Sequence, residues 1–142
     1  CVLRIYHPES GTEWLLPGDI TDHMEARYLV YLADREEHQV PVTRVLVAPH
    51  HGSKTSSSEA WVKGLKPDQV IFTAGYRHRY GHPHPTVTAR YDGIGAVSLN
   101  TACSGSIVMT VEDNRLVLRE MRDRSPFWIG GPGLARDQCK IP

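Results

Sequence analysis

The chain has 142 residues, which is enough for one domain of ordinary size. Its sixteen basic and sixteen acidic residues cancel. This balance excludes a strongly basic protein that coats nucleic acid, although a local basic patch is still compatible with it. No apolar run reaches the ~18 residues that a membrane-spanning helix needs. The three cysteines, Cys1, Cys103 and Cys139, are too widely spaced for a disulfide framework or a metal knuckle. Histidine is the one compositional excess, since five of the eight fall between His50 and His84.

The apolar residues and turn signals predict short strands that alternate with helices. Strands are expected at residues 1–7, 12–16, 42–48, 69–74 and 96–99, and residues 106–112 and 115–121 are expected to form a hairpin around Asp113-Asn114. Helices are expected from Thr21 or Asp22 to about Arg35, from Glu59 to Lys63 with a stop at Gly64, and from Thr86 to Tyr91. This alternation predicts an α/β fold built in layers.

The spacing of apolar residues predicts which side chains form the core. In the first helix, the spacing predicts a buried side of Met24, Tyr28, Leu29 and Leu32 and an outer face with Glu25, Arg27, Asp34 and Arg35. The run Val45–Ala48 is apolar throughout, which is typical of a strand covered on both faces.

The chain opens directly in a strand-like run, so we expect it to be part of a longer protein. It divides into a folded part, residues 1–124, and a Gly- and Pro-rich tail, residues 125–142.

The first candidate site position follows the strand at residues 12–16. Pro17-Gly18 turns the chain there and delivers the carboxylate of Asp19. Glycine allows the sharp bend. Aspartate is also a favoured helix cap, so a cap for the following helix is the simpler interpretation of this turn alone.

The second candidate is the run Pro-His-His-Gly-Ser-Lys-Thr-Ser-Ser-Ser at residues 49–58, directly after an apolar strand. Imidazole is a common ligand of divalent transition metals, and α/β folds place their sites at the carboxyl ends of strands. Adjacent residues of an extended chain point to opposite sides. We therefore expect one of His50 and His51 to reach a given metal and the other to support it or to face substrate. A polar surface loop is the alternative, which the apolar strand and the hydroxyl cluster make less favourable.

The third candidate lies in residues 76–85, Tyr-Arg-His-Arg-Tyr-Gly-His-Pro-His-Pro. The two prolines are expected to hold His82 and His84 in a stiff, extended backbone with both side chains on the same side. Such a pair suits metal binding or proton donation to an oxyanion. Arg77 and Arg79 have the same spacing and add positive charge that suits a phosphate-bearing ligand. A rigid turn with solvated histidines is the alternative.

The chain resembles the C-terminal soluble domain of the ComEC-type competence proteins. The resemblance is carried by three motifs in this order: the Gly18-Asp19 turn, the strand that leads into residues 49–58, and the strand that leads into Gly81–Pro85. The resemblance spans about Val2 to Arg122. It implies a metallo-β-lactamase fold, a four-layer αββα sandwich with a dinuclear metal site at the edge of its sheets. It also implies a hydrolase within a bacterial inner-membrane protein of DNA uptake, where the incoming duplex loses one strand as the other enters the cell.

One difference from this family bears on the site, because the chain lacks the His-x-His-x-Asp-His motif that supplies most metal ligands in the first half of the fold. We therefore expect the chain to be the C-terminal half of the domain, inactive alone and prone to self-association. Its expected partners are the first half and the membrane channel of the same protein. By the resemblance, Asp19 corresponds to the bridging aspartate and His51, directly before Gly52, to the last histidine ligand, with His50 as the alternative.

The resemblance further implies two divalent metal ions in the complete domain. Zinc and manganese both suit aspartate and imidazole ligands, and such a pair activates water for attack on a phosphodiester. His82 and His84 are then candidates to contact the scissile phosphate or to protonate the leaving oxygen. Candidates to hold phosphate oxygens are Ser53, Lys54 and Thr55. DNA is the expected substrate; a non-catalytic module and a hydrolase of another phosphoester are the alternatives.

Overall fold

In the computed structural model, which describes residues 1–34, 41–75 and 79–121, a five-stranded sheet carries helices on one face. In spatial order its strands are β1 (Leu3–His7), β2 (Thr12–Leu16), β3 (Thr43–Val47), β4 (Gln69–Phe72) and β5 (Val97–Asn100). Strands β1 and β2 are antiparallel, and β2 to β5 are parallel. The described helices are α1 (Asp22–Ala33), α2 (Glu59–Leu65), α3 (Pro85–Asp92) and α4 (Thr101–Ser104). A 3-10 turn covers Pro49–Gly52, and β6 (Ile107–Glu112) and β7 (Arg115–Glu120) form a separate hairpin. The predicted α/β class is confirmed.

The buried core lies between the sheet and helices α1 to α3. Leu15, Leu46 and Val70 are cross-strand neighbours in β2, β3 and β4, and each is at most 1% exposed. From the helical side the core is completed by Leu32, Trp61, Val62, Leu65, Val87 and Tyr91. The parallel order of β2 to β5 brings the carboxyl ends of these strands to one edge, where α/β folds place their sites.

The opposite face of the sheet is mainly apolar, and its exposure rises toward the edge strands. The register places Ile5, Trp14, Val45, Gln69 and Val97 in one row across the sheet. Val45 in the central strand is 1% exposed, whereas Ile5 is 47% and Val97 is 57% exposed. Burial on both faces is therefore confirmed for the centre of β3, while the outer strands keep apolar surface open to association.

We expect this chain alone to form dimers or larger species in solution, because a second copy can cover the open edges of the apolar face. Replacing Ile5 and Val97 by threonine should raise the monomer fraction, measured by light scattering at micromolar concentration. Val30→Thr is the matched control, since Val30 is 74% exposed but lies on α1. A monodisperse monomer formed by the unaltered chain would contradict this expectation.

The sequence predicts that helix α2 stops at Gly64, but the helix extends beyond this residue. It continues to Leu65, and Lys66 takes the left-handed conformation that ends it, with φ 46°. A Cβ atom at Gly64 would lie 3.0 Å from Cδ2 of Leu29 in α1. The glycine therefore permits close packing of two helices rather than terminating one of them. The start of α2 follows the prediction, because the Ser58 side chain accepts a hydrogen bond from the backbone N–H of Trp61.

Helix α1 buries a different set of residues from the one predicted. Met24 is 44% exposed, whereas Glu25, which was assigned to the outer face, is completely buried together with Leu32. The helix ends at Ala33. Arg35, the predicted end, lies outside the described residues, as does the predicted tail at 125–142. The 3-10 turn at Pro49–Gly52 and helix α4 were not predicted. Within the described ranges, no helix has both the length and the apolar character needed to cross a bilayer.

Candidate functional site

Three loops meet where strands β2, β3 and β4 end. Backbone hydrogen bonds tie them together, from His50 N to Gly18 O (3.0 Å), from Asp22 N to Thr55 O (3.2 Å) and from His84 N to Gly52 O (2.9 Å). The side chains of Asp19, His50, His51 and His82 lie in these loops and form what we call the strand-end cluster. Topology thus brings together three motifs that are separate in the sequence.

Asp19 and His51 form the closest polar pair of the cluster. Oδ1 of Asp19 lies 3.6 Å from Nε2 of His51, an ion pair when the histidine is protonated. Their side chains are 73% and 49% exposed, so a ligand can reach both. Nδ1 of His51 lies 3.0 Å from the hydroxyl of Thr73, just beyond β4, which fixes the ring with Nε2 toward the carboxylate. Sequence reasoning had not assigned a role to Thr73.

Asp19 does not cap helix α1. Thr21 occupies the N-cap position, and its side chain makes no capping hydrogen bond. The first-turn carboxylate that contacts backbone is that of Asp22, which accepts from the N–H of His23 at 2.7 Å. The simpler interpretation of the Gly18-Asp19 turn is therefore wrong, and the carboxylate of Asp19 faces His51 instead.

The two adjacent histidines are not on an extended chain. His50 and His51 both take left-handed conformations, with φ of 49° and 57°, inside the 3-10 turn. Such conformations are strained for residues other than glycine and are concentrated at functional sites. The next residue, Gly52, has φ 81°, and a Cβ there would lie 2.7 Å from Phe72 and 2.8 Å from Pro83. The expected alternation of the two side chains is replaced by a tight turn that glycine completes.

Within this turn the histidines face different neighbours. His51 approaches Asp19, whereas the His50 ring lies 6.3 Å from the His82 ring and 6.5 Å from the His51 ring, between centroids. Nδ1 of His50 lies 3.5 Å from the Thr55 hydroxyl. Of the two alternatives left open by the sequence, His51 is the one placed beside the carboxylate.

The segment from His82 to His84 is not extended throughout, because the chain bends at His82 and Pro83. His82 is half-buried in the strand-end cluster. His84 caps helix α3, with Nδ1 accepting from the backbone N–H of Thr86 at 3.3 Å and lying 2.8 Å from its hydroxyl. His84 thus has a helix-capping contact that the sequence analysis did not assign to it.

The residues predicted to hold phosphate oxygens differ in their exposure and in their contacts. Ser53 is 8% exposed, and its hydroxyl lies 3.1 Å from that of Thr55. This places both hydroxyls in a network that reaches His50. Lys54 is exposed beside them, and Arg79 is exposed in the third loop. Arg77 lies outside the described residues.

Glu25 anchors the second loop, a role that the sequence analysis missed. Its buried carboxylate accepts hydrogen bonds from the backbone N–H groups of Ser57 (2.5 Å) and Ser58 (2.9 Å). The hydroxyl of Tyr91 donates to the Ser57 hydroxyl at 3.0 Å, and Arg90 donates to the Ser57 carbonyl at 2.7 Å. Burial raises the pKa of Tyr91, so the phenol stays protonated and keeps donating. The available signal was the seven-residue spacing from Glu25 to the apolar Leu32.

The cluster fits part of a metal site. Two ligands of one tetrahedral zinc ion lie ~3.3 Å apart, given bonds of ~2.0 Å, so the Asp19–His51 separation is compatible with a shared ion. Three or more His, Cys, Asp or Glu side chains do not converge anywhere within residues 1–34, 41–75 and 79–121. Catalytic zinc sites use three protein ligands, and structural ones use four. Asp19 and His51 would therefore need further donors to hold a metal ion.

We expect these 142 residues alone to retain clearly less than one metal ion per chain. Two ligands do not make a tight zinc or manganese site. Elemental analysis after dialysis against each metal checks this, with Asp19→Ala as the blank. Stoichiometric retention of two ions would overturn the expectation and bring His82 and His84 into the ligand set.

Curated proteins similar to the chain come from three bacteria. "Recombination protein 2" of Haemophilus influenzae is 33% identical over 94 residues, which is 66% of this chain and 12% of that protein. "Competence protein ComA" of Neisseria gonorrhoeae is 28% identical over 132 residues, 93% of this chain and 18% of that protein. "ComE operon protein 3" of Bacillus subtilis is 32% identical over 85 residues, 60% of this chain and 10% of that protein.

The chain therefore spans less than a fifth of the length of each of these relatives. No protein-family model matches it, and no solved structure matches it. The similarity to the Neisseria protein extends over nearly the whole chain and so includes all three loops of the strand-end cluster. These 142 residues are thus homologous to segments of competence proteins, as the resemblance of their motifs implied.

Proposed function

We propose that the chain is the C-terminal half of a metallo-β-lactamase-like domain that hydrolyses DNA phosphodiesters during DNA uptake. The observation that carries the proposal is the Asp19–His51 pair, 3.6 Å apart at the ends of two parallel strands. Homology to competence proteins supports the biological role. Carboxylate and imidazole, presented together and open to solvent, are the ligand types of divalent-metal hydrolases.

In this proposal Asp19 and His51 hold zinc or manganese, and Thr73 orients the His51 ring. A bound pair of divalent ions supplies water activation at neutral pH and neutralises charge on the phosphoryl oxygens. His82, whose ring lies 6.3 Å from that of His50, would contact the phosphate or give a proton to the leaving oxygen. The exposed cations Lys54 and Arg79 attract the backbone of the substrate.

The remaining ligands and the second sheet are proposed to come from the first half of the domain, outside these 142 residues. The apolar sheet face with open edges at Ile5 and Val97 supports this, because a second sheet would cover it and make the four-layer αββα sandwich. In the whole protein, the domain would work beside a membrane channel in the bacterial inner membrane. It would degrade the strand that is not imported.

A non-catalytic module is the second candidate. The observation that favours it is the absence of three convergent ligands among the described residues. A scaffold of the same fold would keep the loop network while holding no metal. A hydrolase of another phosphoester would share the cluster and differ in substrate.

A nuclease assay on the complete domain, with and without zinc or manganese, separates these candidates. Cleavage of DNA that requires metal and is lost with Asp19→Ala supports the proposal. Binding of DNA without cleavage at any metal concentration indicates the module. Hydrolysis of a small phosphodiester with no activity on DNA indicates the third candidate.

A further inference from the structure

We propose that Arg79, Tyr80 and His82 form a stacking platform that receives an unpaired nucleobase at the mouth of the strand-end cluster. The inference rests on the proposed function and specifies the form of its substrate. It assigns the site to single-stranded DNA or to the frayed end of a duplex.

The three side chains lie against one another. Cζ of Arg79 is 4.7 Å from the centroid of the Tyr80 ring, and its Nη2 donates to the Tyr80 hydroxyl at 2.6 Å. The Tyr80 and His82 rings are 6.0 Å apart between centroids, with only 24° between their planes. Cation–π attraction and ring stacking hold the tyrosine in a defined orientation. Tyr80 is nevertheless 60% exposed, so planar aromatic surface stays accessible to a ligand.

This platform is continuous with the cluster. The His82 ring lies 6.3 Å from that of His50, and the His50 ring lies 6.5 Å from that of His51. His51 in turn reaches the carboxylate of Asp19. A row of rings therefore leads from the exposed tyrosine to the candidate ligands, and a strand lying along it would present its phosphates to the cluster.

The chemistry of the row favours an unpaired base over a duplex. Every nucleobase has a π-face that can stack on an exposed aromatic ring, whereas in a duplex those faces are stacked on neighbouring base pairs. The guanidinium of Arg79 adds donors that match a phosphate. Stacking is tolerant of sequence, as a site that processes DNA of any sequence requires.

Fluorescence anisotropy in the presence of EDTA tests the platform without cleavage. The probes are a short labelled single strand, its blunt duplex and an abasic strand of the same length. We expect the unaltered chain to prefer the single strand. Tyr80→Ala should weaken that binding by about 5- to 100-fold and weaken abasic binding far less, because the variant removes the stacking surface but keeps the Arg79 guanidinium.

Two further variants complete the test. Tyr80→Phe keeps the ring and should retain most of the affinity. Tyr31→Ala removes another tyrosine, 49% exposed on α1, and should have no effect. The inference is overturned if Tyr80→Ala binds the single strand as tightly as the unaltered chain, or if it loses abasic binding equally. Since no metal is present, this outcome is independent of the nuclease assay. A platform without hydrolysis would sink only the proposed function, and hydrolysis without a platform would sink only this inference.

Discussion

Asp19→Ala should lower the metal-dependent nuclease activity of the complete domain by several orders of magnitude while its stability hardly changes. If the carboxylate is shared by two ions, the substitution removes an anchor from both and misplaces the activated water. The side chain is 73% exposed, so its removal should alter the free energy of unfolding by less than ~0.5 kcal/mol. Activity on DNA and urea denaturation are measured on the same preparation.

Asp22→Ala is the matched control for this substitution. Asp22 is an exposed carboxylate three residues away that accepts from a backbone N–H in the first turn of α1. This contact is local and exposed, so its loss should change the free energy of unfolding by less than ~0.5 kcal/mol and leave activity nearly unchanged. An Asp19→Ala domain that cleaves DNA at close to the parent rate would end the dinuclear-site proposal.

Alanine substitutions at His50 and His51 extend the comparison to the adjacent histidines. Since His51 is the one beside Asp19, His51→Ala should lose metal from the complete domain. His50→Ala should keep metal and turn over slowly, because His50 faces His82 and Thr55 instead. The reverse pattern would make His50 the ligand.

Glu25→Gln should destabilise the chain by about 2–3 kcal/mol, a large fraction of the stability of a small domain. The amide cannot accept from both Ser57 and Ser58, so one buried backbone donor loses its partner. The midpoint of urea denaturation should therefore fall while the slope is kept.

Glu59→Gln is the control for this buried carboxylate. Glu59 is exposed at the start of α2, where the hydrogen bond from Lys63 holds its pKa below the ordinary value. Exposed pairs of this kind contribute little to stability, so the midpoint of urea denaturation should hardly move. Equal stability of Glu25→Gln and the unaltered chain would show that the carboxylate does not anchor the loop.

Local patterns in the sequence determined the elements themselves. Strand β2 was predicted with its observed bounds, Thr12–Leu16. The turn of the hairpin was predicted at Asp113 and Asn114, and both residues take positive φ there. Alternation and turn chemistry act over a few residues, so the chain by itself specifies them. The order of the three motifs along the chain also gave the family resemblance, which homology to competence proteins supports.

Only the tertiary structure decided which side chains meet and which polar groups are buried. From the sequence alone, Glu25 is expected at the surface. In the fold it is buried, because the backbone N–H groups of Ser57 and Ser58 donate to its carboxylate and a buried carboxylate requires such partners. The sequence does not distinguish His50 from His51 as the partner of Asp19. The left-handed turn at these residues places the His51 side chain beside the Asp19 carboxylate. These outcomes depend on contacts between loops far apart in the chain, which local propensity does not encode.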